Sequence, residues 1–306
     1  MAAFVPAAVN VLAQTLRRSA AAASTRLSSR PFGRGGSCPP LGLRAGAPPP
    51  PSPQRLTTMA SPRIVPTPPP ASAALASAAH GRAREVLTFW FGTDAPLPPY
   101  ATLPDQMGSL WFPSGDAAAA ADAAIVDRFT GDVEAALAGD GSYMDLVYGR
   151  DATPWSALAF VVLLDQFPRA LYRGTARAFA GDAAALAASR HMLDGGESGG
   201  RPPLVEGLPW IARLFAVMPH MHAEDAPTVR RCVEVFEAMA KELTDEHGEA
   251  AVGVAKAIAG SAKFGEGHLT IVDRFGRYPY RNQVLGRETT PEEKAWIEEG
   301  GDSFGQ

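Results

Sequence analysis

With 306 residues, 46% of them hydrophobic, the chain has room for one or two domains and an ample core. Its two cysteines, Cys38 and Cys232, supply neither a disulfide framework nor a cysteine zinc site and indicate a reducing compartment. The net charge of −4 hides an asymmetry, since Met1 to Arg84 holds ten arginines and no acidic residue, leaving 18 basic against 32 acidic residues beyond it. So acidic a body excludes general nucleic-acid binding, which runs on phosphate neutralisation, and no apolar run approaches the length of a membrane span.

The acid-free leader is rich in Ala, Ser and Arg and turns to proline after Ala47 (PPPPSP, PTPPP). That is the composition of an organelle transit peptide, and residues 11–18 (VLAQTLRR) form a short amphipathic stretch that favours mitochondrion over plastid. The proline tract builds neither a helix nor a sheet interior and reads as an exposed spacer. Residues 1–78 are therefore expected to be a disordered transit peptide and spacer that delivers the chain to an organelle matrix. The other reading is an extension that carries no address.

The folded part is expected over 79–306. REVLTFWFG has the apolar spacing of a short helix stopped by Gly92, and Asp116 is placed to cap an alanine-rich helix running to about Ala138. Ile125, Val126, Phe129, Val133 and Leu137 make its inward stripe. Trp90, Phe91, Trp111 and Phe112 read as packing anchors rather than a stacking platform. Pro154 opens the next helix, and LAFVVLL is apolar all round, as expected for a helix in the middle of a bundle. Its polar end follows at once with Asp165, Gln166, Arg169 and Arg173; Asp165 and Arg169 are four apart and can pair if the turn persists past Pro168. A short helix at 182–193 stops at Gly195 and Gly196, and another at 208–218 ends at Pro219. His222, Glu224 and Asp225 then lie in a turn, where Asp225 caps a helix beginning at Pro227 and continuing over 230–243. A further helix is expected over 249–263, and Thr290, Pro291 and Glu293 form a capping box for the last one, stopped by Gly300.

Between those two helices lies HLTIVDRFGRYPYRNQVLGR, residues 268–287. Leu269, Ile271, Val272 and Phe275 mark a buried helical turn, Gly276 can end it with positive φ, and Pro279 forbids its continuation. Arg274, Arg277, Arg281 and Arg287, with Asn282, therefore sit at a helix C-terminus and in the turn after it. A cap does not need four arginines, and the guanidinium fork suits carboxylate or phosphate, so the group reads as an anion-binding wall; the competing reading is a set of internal ion pairs. No segment alternates like a strand and no fixed-period repeat is present, so the expected fold is all-α, a bundle of eight to ten helices.

RFGRYPYRNQVLGRETTPEE resembles the closing motif of the DUF924 family, with LLDQFPRALYR (163–173) and MPHMHAED (218–225) in agreement and in order. The similarity runs from about Val86 to Phe304. It departs where the family has RFPHRN and this chain has Tyr278 and Tyr280, and where the family has MHSED and this chain has Ala223. The resemblance implies an all-helical, TPR-like fold and a set of polar positions. It names no reaction.

Two classes of function follow. In the first, an enzyme or binder without a cofactor acts on a small anionic metabolite: Gln166, Arg169, Arg173, Arg274, Arg277, Arg281, Asn282 and Arg287 bind it, and His222, Glu224, His268 and Asp165 move protons. In the second, a TPR-like scaffold grips the carboxylate or acidic tail of a protein partner with the same arginines. A third reading makes His222, Glu224 and His268 a metal-ligand set, although HAE lacks the H-E-x-x-H arrangement. No P-loop, dinucleotide fingerprint or serine-hydrolase elbow is present. The mixed His, Glu and Arg motifs at separate helix ends favour the first class.

Overall fold

A computed structural model describes residues 78–94, 97, 104–195 and 203–304. The transit peptide and spacer assigned to 1–78 lie outside them, apart from Ala78. The described residues are mostly helical and contain no strand. In chain order the helices are α1 (Ala78–Phe91), α2 (Asp116–Leu137), α3 (Gly141–Tyr148), α4 (Pro154–Val161), α5 (Phe167–Leu171), α6 (Asp182–Asp194), α7 (Trp210–Val217), α8 (Ala226–His247), α9 (Val252–Phe275) and α10 (Pro291–Glu298). None is long and apolar enough to cross a membrane.

The all-round apolar α4 is the middle of the bundle. Ala157 to Leu164 are at most 1% exposed, and α1, α3, α6 and α7 pack around it. Each fully buried Leu or Phe there contributes roughly 1.5–3 kcal/mol. Trp90, Phe91, Trp111, Phe129, Phe167 and Phe215 interlock beside it with ring centres 4.8–6.3 Å apart, the offset and edge-on spacing that aromatic quadrupoles favour. Phe112 is only half-buried and Val126 is 46% exposed, so the stripe on α2 is narrower than its apolar spacing suggested.

Thr153 and Ser156 form the capping box of α4, Asp225 caps α8 through the Thr228 N–H, and Thr290 with Glu293 caps α10. Asp116 lies in the first turn of α2, with Gly115 at its N-cap. The helices expected at 249–263 and from His268 are one continuous α9, forming a long hairpin with α8. Its glycines do not break it because Gly265 faces Val233, where an added Cβ would lie 3.1 Å from a valine methyl. Close approach of the two helices offsets glycine's poor helix propensity.

Candidate functional site

Four chain segments meet where α4 ends. Pro168 has no N–H for the Leu164 carbonyl and its ring would crowd that carbonyl, so the helix widens into a π turn over Val162–Gln166, closed by the Phe167 N–H on the Val162 carbonyl. Asp165 sits on this turn with no exposure at all. The start of α6 presses against the same turn: a Cβ on Gly181 would stand 2.2 Å from the Leu164 carbonyl oxygen, so only glycine fits. That contact sets Asp182 beside the turn.

Asp165 accepts a hydrogen bond from His222 Nδ1 at 2.7 Å and another from the Gln166 amide at 2.5 Å, and Arg169 Nη2 stands 3.7 Å away. Burial works to raise the Asp165 pKa, but His222, Arg169 and Gln166 outweigh it and hold the carboxylate ionised below its usual range. For His222 burial dominates, with Arg169 acting the same way, and the two overcome the pull of Asp165, so its pKa falls below the usual value. The ring is neutral at pH 7, with Nδ1–H directed at Asp165 and Nε2 left as the acceptor. This is the geometry of a base held in one tautomer by a buried carboxylate. No serine, threonine or cysteine hydrogen-bonds His222 among the described residues, so its basic nitrogen would act on a bound molecule or water.

Asp182 bridges two arginines, with Arg169 Nη2 at 2.7 Å and Arg281 Nη1 at 3.1 Å. Its pKa lies above the usual range, because burial outweighs the pull of Arg169 and Arg281. Arg281 is 3% exposed and lies over the rings of Phe179 (4.4 Å) and Tyr278 (4.6 Å). Its Nε and Nη2 are buried with no hydrogen-bond partner, although the neighbouring Tyr280 hydroxyl interacts with the guanidinium. His268 enters from α9. Its Nδ1 bonds the Phe264 carbonyl at 3.1 Å, its ring centre is 6.4 Å from that of His222, and Phe304 stacks on it. Burial drives the His268 pKa well below the usual value.

Among the residues singled out from sequence, the structure gathers Asp165, Gln166, Arg169, His222, His268 and Arg281. The others sit in pairings away from this group. Arg173 reaches outward to Asp122 at 3.0 Å, and Arg274 pairs with Glu292 on the surface. Arg277 forks onto Glu293, which also accepts from Asn282, so both lock the turn to α10. Glu224 is forked by Arg287 (2.6 and 3.0 Å) and accepts the Tyr278 N–H, which makes it a strut and takes it out of any proton relay. Of these arginines, only Arg169 and Arg281 lie beside Asp182, next to Asp165 and His222. Successive residues of an irregular turn point different ways, and each arginine is captured by the carboxylate its direction finds.

Glu224 is held by Arg287, and among the described residues no group of three His, Cys, Asp or Glu side chains is placed to hold an ion. A shallow groove lined by Gly81, Arg84, Glu85, Thr88, Asp94 and Arg128 contains none of the site residues.

Sequence reading missed Asp182, Phe179, Tyr280 and Phe304. Asp182 looks like an ordinary acidic first-turn residue, and only the Gly181 contact gives it another role. The three aromatics carry no periodic signal. Tyr278, whose hydroxyl bonds the Met221 carbonyl at 2.6 Å, ties the turn after α9 to the loop that carries His222.

The sequence model of a family described as bacterial proteins of unknown function, DUF924, matches residues 86–301. The chain is similar to a solved structure from Agrobacterium tumefaciens, the protein of unknown function ATU0120. The two are 29% identical over 72% of this chain and 99% of that one, with a TM-score of 0.50. No curated protein matches.

Proposed function

The chain belongs to the DUF924 family, and from that premise we propose that the junction of α4, α6, α9 and the two loops is an acid–base site for a small anionic metabolite, working without a bound cofactor. The supporting observation is the buried Asp165–His222 pair, which leaves a neutral imidazole with an oriented lone pair beside the Arg169–Asp182–Arg281 group. Arg281 fixes the anion, Asp165 positions and polarises His222, and His222 Nε2 takes a proton from the bound molecule or from a water. Burial, with Arg169 beside it, keeps His222 neutral before the reaction.

The test has two parts. Acetate and inorganic phosphate should raise the melting temperature of the wild type by mass action, and Arg281→Lys, which keeps the charge and loses the fork, should abolish that gain. A turnover screen over small carboxylates and phosphate esters should then find a reaction that Asp165→Asn slows by roughly 10²–10⁴-fold with little change in anion binding. Equal anion stabilisation in Arg281→Lys, or full turnover in Asp165→Asn, would reject the reading.

A further inference from the structure

The C-terminal segment closes the site with an aromatic ring. Beyond α10 the chain turns at Gly301, which packs so tightly on Trp296 that a Cβ would lie 2.4 Å from the indole. It then reaches Phe304, the one non-glycine residue of positive φ (52°) among the described residues. The Phe304 ring stacks on His268 with centres 3.5 Å apart and planes 13° off parallel, beside Phe264 at 5.0 Å. His268 beneath it is 2% exposed, whereas Phe304 itself is part-exposed and its N–H is held locally by Asp302. Near-parallel stacking at this distance is how a flat ligand is seated, and the backbone conformation that delivers it is one a phenylalanine rarely adopts.

The second observation concerns Arg281. On three other arginines the Nε/Nη2 edge is filled by a carboxylate: Asp132 on Arg82, Asp122 on Arg173 and Glu293 on Arg277. On Arg281 the same edge is buried and has no hydrogen-bond partner. Tyr280 adjoins both places, its ring 6.3 Å from that of Phe304 and 5.7 Å from the Arg281 guanidinium.

We infer that the ligand of this site is a small carboxylate bearing a planar ring, and that Phe304 is a lid standing where that ring binds. The carboxylate takes the vacant edge of Arg281 and the ring stacks on His268 in place of Phe304. A carboxylate fits better than a phosphate because Arg169 and Arg281 already face Asp165 and Asp182. One added negative charge is tolerated more readily there than two. This rests on the assignment of Arg281 as the anion holder and adds to it the ring and the lid.

Calorimetric titration of the full chain with benzoate, cyclohexanecarboxylate and acetate separates the two ideas. Benzoate should bind at least tenfold tighter than the other two, and Phe304→Ala should tighten benzoate several-fold while leaving acetate unchanged. In the wild type, benzoate should also remove the ring-current shifts that His268 and Phe264 impose on the Phe304 ring protons, a readout that needs no variant. Equal affinity for benzoate and cyclohexanecarboxylate, or persistence of those shifts at saturation, overturns the ring and lid while the anion site stands. Acetate binding that survives Arg281→Lys overturns the anion assignment, and the inference falls with it.

Discussion

With His222 neutral, the charges of Arg169 and Arg281 cancel those of Asp165 and Asp182, so an arriving carboxylate leaves the buried site with one uncompensated negative charge. Proton uptake at Asp182, which burial already holds above the carboxylate range, restores the balance and leaves His222 neutral. Acetate affinity should therefore fall as pH rises above the usual carboxylate range, and calorimetry in buffers of different ionisation heat should register net proton uptake. A pH-independent affinity would place the anion elsewhere. Glu224 and Arg287 behave differently because each is the other's partner at the edge of the core. Glu224→Gln should lower stability by about 2 kcal/mol and leave the pH dependence of acetate binding unchanged.

At the scale of elements, the site depends on two backbone features more than on any side chain. The π turn over Val162–Gln166 sets the direction of Asp165, and Gly181 lets α6 approach that turn until Asp182 meets Arg169. A Cβ at Gly181 would collide with backbone, which cannot rotate away, so Gly181→Ala should destabilise by roughly 1–3 kcal/mol and abolish acetate binding together. Gly276 is a contrasting case. It ends α9 with φ 68° and has nothing within 4 Å of the added carbon, so Gly276→Ala should cost about 1 kcal/mol from backbone strain alone and spare acetate binding. Urea unfolding and acetate titration of the two variants distinguish a contact from a cap.

At the scale of the whole molecule, buried histidines make the fold acid-sensitive. His220 is 1% exposed beside Ser189, and burial, helped by Arg231 and Arg190, brings its pKa down to about 4; those of His268 and His222 are lowered as well. Each binds a proton more readily in the unfolded chain, so its contribution is complete above about pH 6.5 and is lost as pH falls toward the folded-state value. Between pH 7.5 and 5 His220 alone should remove on the order of 2 kcal/mol, before the carboxylates of Glu293 and Asp165 begin to protonate. Urea midpoints across that range should fall in the wild type and fall less in His220→Asn.

The all-α class, the buried α4, the capping box of α10 and the stop at Gly276 were legible in the sequence because each is set by residues within a turn or two of one another. Apolar periodicity, a Thr three residues before Glu, and a glycine free to take positive φ are local facts with local causes. Asp165, His222, His268 and Arg281 could be named as polar ends of apolar segments, and burial of those segments does draw them together. Their partners could not be named. Which arginine meets Asp182 and which meets Glu293, Glu224 or Asp122 depends on the direction each side chain leaves an irregular turn. Asp182 joined the site only through the contact between Gly181 and Leu164. Those outcomes belong to tertiary packing, because an ion pair across 99 residues, such as Arg281 with Asp182, exists only once the elements between have found their places.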